Sequence, residues 1–103
     1  ETGALGAPEF VAAADNPTFL AVHPNGKWVY GISEVRDHGG QSGGAVQAFA
    51  RDALTGALSE VNHESTGGEG PCHLGFDNNL RVLMVANYNS GSFKTLYGWC
   101  GAY

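Results

Sequence analysis

Positive charge, cysteine and long apolar runs are all scarce in this chain, and each scarcity removes a class of function. Five Lys and Arg stand against ten Asp and Glu, a formal net charge of −5, and the few cations form no cluster. Proteins that grip nucleic acid or an anionic membrane surface carry a basic footprint, so neither is expected as a partner. No apolar run approaches the roughly 18 residues that cross a bilayer as a helix, and no signal-peptide pattern opens the chain. Cys72 and Cys100 are the only cysteines, too few for a disulfide framework. They read as two thiols in a reducing compartment, which implies a cytoplasmic location. The one Asn-x-Thr sequence is Asn16-Pro17-Thr18, where proline blocks glycosylation. Sustained helical spacing is missing as well, and the chain therefore reads as all-β.

What is present is repetition. Gly67 to Asn89 holds two short apolar runs, Pro71 to Phe76 and Val82 to Ala86, joined by Asp77-Asn78-Asn79. Those three residues tolerate turn and left-handed backbone, so the stretch reads as a β-hairpin. An earlier copy runs Asn16 to Val22, turns through His23-Pro24-Asn25-Gly26, and continues through Lys27 to Ile32. Pro17 and Pro71 stand 54 residues apart, and the tetrapeptide Thr-Gly-Ala-Leu recurs at Thr2 and Thr55, 53 apart. A period near fifty filled with short strands is the signature of a β-propeller blade. The 103 residues hold about two such four-stranded antiparallel blades, as copies near 2–54 and 55–103. Propellers close with about four to eight.

In order, Leu5 to Ala14 is expected to be an edge-type strand, since Pro8 cannot donate to a ladder. Strands follow at Phe19 to His23 and Trp28 to Val35. Arg36 to Gly44 has four glycines in nine residues and reads as a loop. Ala45 to Ala50 and the segment around Leu58 to Glu64 complete the blade, and Ser65 to Gly70 links to the second copy. There the third strand is expected at Ser92 to Tyr97. Leu20, Val22, Val29 and Ile32 are expected to pack against their equivalents Leu74, Phe76, Leu83 and Val85 between blades.

Several stretches together resemble a known family. They are Asn16-Pro17-x-Phe19-Leu20-Ala21-Val22-His23-Pro24-Asn25-Gly26, Gly43-Gly44-Ala45-Val46-x-Ala48-Phe49 and Thr55-Gly56-Ala57-Leu58. Gly70-Pro71-Cys72-His73-Leu74 and Val85-Ala86-Asn87-Tyr88-Asn89-Ser90-Gly91-Ser92 complete the set. The pattern is similar to the lactonase-type seven-bladed propellers, the family of bacterial 6-phosphogluconolactonase and fungal carboxymuconate cyclase. The resemblance covers residues 1 to about 93 and departs at Lys94 to Tyr103 (KTLYGWCGAY), where a member would continue into further blades.

The resemblance implies a ligand channel at the propeller axis and a lactone-opening or lactone-forming reaction. His73, just after Pro71 on an inner strand, is the candidate acid/base, because a neutral imidazole can take a proton from water attacking a carbonyl. Phe19 holds the matching position in the first copy, so blade geometry does not demand histidine there. Glu34 is the second catalytic candidate, to position water or orient a histidine. Arg36, with its planar fork, is the candidate clamp for a carboxylate or phosphate, and Asn87 and Tyr88 are candidate substrate contacts. The same residues also admit a solvated Glu34/Arg36 pair and a turn-closing Asn87. Gly39-Gly40 and Gly67-Gly68-Glu69-Gly70 are not phosphate loops, because neither leads from a strand into a helix. His23, His38 and His63 show no paired ligand spacing, so no metal is expected; the resemblance implies no redox cofactor, and the sequence suggests none.

Two functional readings result. One is part of a lactonase acting on a sugar-acid or carboxylate lactone such as 6-phosphogluconolactone. The other is a non-enzymatic propeller module, truncated or self-assembling, that binds a small sugar-like ligand. In the second, a spare strand at Leu5 to Ala14 would complete the three-stranded blade of another copy, head to tail, and close a ring.

Overall fold

The computed structural model describes residues 2–97. Nine strands form two antiparallel blades and one small hairpin, with no helix among the described residues. The first blade has β1 (Pro17–Val22), β2 (Trp28–Ser33), β5 (Ala45–Arg51) and β6 (Leu58–Ser65), in that order from inside outward. The second has β7 (Pro71–Phe76), β8 (Val82–Asn87) and β9 (Ser92–Tyr97). Between β2 and β5 lies the hairpin of β3 (Asp37–His38) and β4 (Gln41–Ser42). One complete blade followed by three strands of the next is the arrangement that the repeat indicates.

Three local differences have physical reasons. Leu5 to Ala14 forms no strand. An outer strand needs the third strand of its own blade to pair with, and no such neighbour exists among the described residues. The segment instead lies beside the first blade, where Val11, Ala12 and Ala14 border an apolar groove with Leu20, Val29 and Phe49. Second, β2 stops at Ser33, because the Val35 amide turns back to the Ser33 carbonyl at 2.9 Å. Third, Arg36 to Gly44 is more than a loop: Gly39 and Gly40 take φ of 58° and 83°, which suits the two-residue turn between β3 and β4.

The turn after β7 also departs from expectation. Its left-handed residue is Leu80, with φ 58°, and not Asn78 or Asn79. The matching residue of the first copy is Gly26, with φ 73°. Asp77 sets the reversal, since its carboxylate accepts the amides of Arg81 (2.7 Å) and Val82 (2.8 Å). These backbone donors, Val82 first, hold the Asp77 carboxyl below its ordinary range against partial desolvation. Asp52 does the same at the Thr-Gly turn, where the amides of Thr55 and Leu54 lower its carboxyl.

The core lies between the blades. It is built from Tyr30, Ile32, Val46 and Ala48 of the first and Leu74, Leu83, Val85 and Leu96 of the second, with Phe19, Ala21, Trp28 and Phe76 against it. The Tyr30 and Phe76 rings meet edge to face at 5.6 Å. Register explains the membership. Phe19, Ile32 and Val46 align across three strands, as do Leu74, Val85 and Lys94 in the other blade. These two rows are not equivalents.

Equivalent residues cannot face one another here, because each blade presents one face forward and the opposite face backward. Side chains alternate between faces along a strand. The forward set of the first copy therefore meets the backward set of the second. Leu20 and Val22, expected in this core, point the other way and are 59% and 56% exposed. Val29 is buried on that same far face, opposite Phe49. Ile32, Leu74, Leu83 and Val85 occupy the core as expected.

Truncating Leu74, which is 2% exposed, to alanine should cost about 2–5 kcal/mol. Leu20→Ala should stay within about 0.5 kcal/mol in the same chain. Denaturant unfolding of both variants checks the face assignment, and similar losses would refute it.

Candidate functional site

One end of the blades gathers the loops that follow β2 and β8 and the linker Thr66 to Gly70. Antiparallel order puts all of these at the same end, because β2, β6 and β8 all finish there and β7 starts there. The linker is tied down on both sides. Gly44 donates to the Gly68 carbonyl at 2.8 Å, and Thr66 donates to Gly44 at 2.9 Å. Tyr88 donates to Gly70 at 2.9 Å, and the Ser90 hydroxyl accepts the Glu69 amide at 2.7 Å. Glycine is required in this crossing: a Cβ on Gly44 would collide with the Pro71 ring, and one on Gly68 with the Asn87 side chain.

His73 sits on β7 across from Ala86 and is exposed. Its ring tilts against Phe19 with centroids 4.5 Å apart. The two positions matched between the copies thus touch, as inner-strand neighbours around an axis should. No hydrogen bond or ion pair involves the His73 side chain among the described residues, so its nitrogens remain available to a ligand.

Glu34 and Arg36 do not pair with each other. The Glu34 backbone is locked to Asn16, accepting from the Asn16 side-chain amide at 2.9 Å and donating to the Asn16 carbonyl at 3.1 Å. Arg36, with its side chain 79% exposed, has its Nε 3.9 Å from Glu69 of the linker. At that distance and exposure the pair is a loose tether worth little stability. Glu69 was not legible as Arg36's partner, since the two lie on different copies and only the linker's path joins them.

Asn87 and Tyr88 part company. Tyr88 is 80% exposed at the loop. Asn87 is 2% exposed, and its amide donates to the Thr66 carbonyl at 2.9 Å and to the Ser92 hydroxyl at 3.4 Å. Its side-chain oxygen is buried without a partner among the described residues. The carboxamide is thus engaged in joining β8 to the linker, close to the turn-closing role that its position also admitted.

Cys72 is a free, half-buried thiol near the Ala86 carbonyl, at 3.8 Å; Cys100 lies outside the described residues. No three His, Cys, Asp or Glu side chains among the described residues converge as a metal site. No helix among them is long and apolar enough to cross a membrane.

This architecture defines a class: stacked antiparallel blades, here of four and three strands, whose inner strands lie side by side. The chain belongs to the seven-bladed β-propeller lactonase family, whose sequence profile matches residues 1–97. It is 34% identical over 91 residues to the 6-phosphogluconolactonase of Bacillus subtilis, covering 88% of this chain and 25% of that protein. With the 6-phosphogluconolactonase of Formosa agariphila it shares 35% identity over 79 residues, 77% of this chain and 22% of the relative. Two solved structures superpose with TM-scores of 0.71, each over 84% of the chain. They are proposed 6-phosphogluconolactonases from Bacteroides fragilis (32% identical, 23% of that chain) and Bacteroides uniformis (33%, 24%). The chain thus spans about a quarter of the relatives it matches.

Replacing Asn87 by alanine strands the buried Thr66 carbonyl, which should cost about 1–3 kcal/mol. A thermal melt that is unchanged would show that this bond does not hold the junction.

Proposed function

We propose that this chain is part of an enzyme that hydrolyses a sugar-acid lactone, with 6-phosphogluconolactone as the substrate favoured by the names of its relatives. The observation that carries the reading is His73: an imidazole on an inner strand, packed on Phe19 and without a hydrogen-bond or ion-pair partner among the described residues, where the preceding blade has only Phe19. The family match supplies the reaction class.

In this reading, a water molecule attacks the lactone carbonyl while neutral His73 takes its proton. The tetrahedral intermediate collapses, the ring C–O bond breaks, and the departing alkoxide receives the proton from His73. A carboxylic acid and a free hydroxyl result, the imidazole is regenerated, and the acid releases its proton to solvent to become a carboxylate. Arg36 engages the substrate's anionic group by its fork. Glu34, whose backbone is fixed by Asn16, orients water or histidine. Tyr88 supplies an exposed hydroxyl, and Asn87 contributes by fixing the strand end that carries Tyr88.

In the complete protein, His73→Ala should remove lactone hydrolysis by at least a hundredfold, the usual scale for losing a general base. Its melting temperature should stay nearly constant. Activity and melting are measured together. Parallel losses would make His73 structural, retained activity would move the acid/base elsewhere, and no hydrolysis by the unaltered complete protein would favour the non-enzymatic, self-assembling reading.

A further inference from the structure

The geometry points to a second site, away from His73: a bis-imidazole pocket for a divalent transition-metal ion, made by His38 and His63. These residues stand 25 positions apart in sequence. The fold brings their rings to 5.7 Å between centroids, with planes at 68°. His38 comes from β3 and His63 from β6, the outer strand, and both line a cavity of about 440 Å³ with Gln41 and Ser65. Three separate segments converge there, since Asp15, just before β1, also reaches His38.

Each imidazole has a carboxylate behind it. Glu60 Oε1 lies 3.0 Å from Nδ1 of His63. Asp15 Oδ2 lies 3.8 Å from Nδ1 of His38, a nitrogen closed off from solvent and without a hydrogen bond among the described residues. At His63 the carboxylate is within hydrogen-bond reach, so it fixes Nδ1 as the protonated nitrogen and orients the ring, the arrangement common behind metal-bound histidine; at His38 the carboxylate stands close without a hydrogen bond. Nε2 is then the ligating atom of His63, and it is the nitrogen of His38 that an ion can reach, since Nδ1 there is closed off from solvent. Neither Asp15 nor Glu60 has a Lys or Arg partner among the described residues. With neutral imidazoles the four groups carry two negative charges, which favours a cation over an anion.

The spacing suits a single ion. Zinc–nitrogen bonds of about 2.0–2.1 Å in a tetrahedral arrangement put two imidazole centres roughly 5 Å apart. The observed separation needs to close by only about half an ångström to reach that geometry. The Gln41 carboxamide oxygen, the Ser65 hydroxyl and water are the oxygen donors available for the remaining positions. Two protein imidazoles make this an open site of modest affinity, with Cu²⁺ binding more tightly than Zn²⁺.

Calorimetric titration of the chain with Zn²⁺ tests the site. One ion per chain is expected, with affinity falling at least tenfold in His38→Ala and in His63→Ala, and about tenfold in Glu60→Gln. Circular dichroism establishes that each variant is folded. Nitrogen NMR of the unaltered chain gives an answer even where a variant fails to fold: Zn²⁺ should shift Nε2 of both His38 and His63. Absence of binding, binding indifferent to all three substitutions, or Nε2 signals that do not move would each overturn the proposal.

Discussion

Everything in this structure depends on how one blade meets the next. A four-stranded antiparallel sheet in water has two faces and one chain, and neither face of a blade is polar enough to stay bare. The solution is rotation. The forward face of the first blade, with Tyr30, Ile32, Val46 and Ala48, closes on the backward face of the second, with Leu74, Leu83, Val85 and Leu96. Because successive blades repeat one sequence pattern, each copy must carry both halves of the contact on alternating positions. That rule puts Leu20 and Val22 on the open face of the first blade and Met84 and Phe93 on the open face of the second. Both open faces are where neighbouring blades of the family's ring would stack.

Packing of the faces fixes the angle between blades, and the linker fixes their ends. The Thr66 to Gly70 crossing exchanges hydrogen bonds with Gly44 on one side and with Tyr88 and Ser90 on the other. Lys94 adds a tie from β9 to the Ser65 carbonyl, at 2.8 Å, with Glu64 beside it. These ties hold residues of both copies at one end of the blades. His73 presents its ring beside Phe19, and Arg36 and Glu69 meet above the linker. The candidate residues thus come from two blades together and not from either one.

The fold was legible because its signal is repetition. Period, turn chemistry and the Thr-Gly-Ala-Leu echoes place seven strands of the two blades to within a few residues. Facing was harder. Alternation reveals that Leu20 and Phe19 lie on opposite sides, but a lone blade does not say which side its neighbour takes. The N-terminal segment has strand-like composition but forms none, because a strand is made by its partner, and Leu5 to Ala14 has none among the described residues. In the site, Asn87 and Tyr88 are adjacent in sequence, yet alternation buries one and exposes the other. His38 and His63 were invisible as a pair, because their meeting depends on the β3–β4 hairpin folding toward β6, which no spacing rule encodes.

The forward face of one copy packs against the backward face of the next. The Tyr30–Phe76 ring contact crosses that boundary directly. A double-mutant cycle with Tyr30→Leu and Phe76→Leu, read by denaturant unfolding, isolates its energy from the general loss of apolar area. The structure predicts a favourable coupling of about 0.5–1.5 kcal/mol. Strictly additive losses would mean that the two rings do not meet, and that the blades stack in some other way.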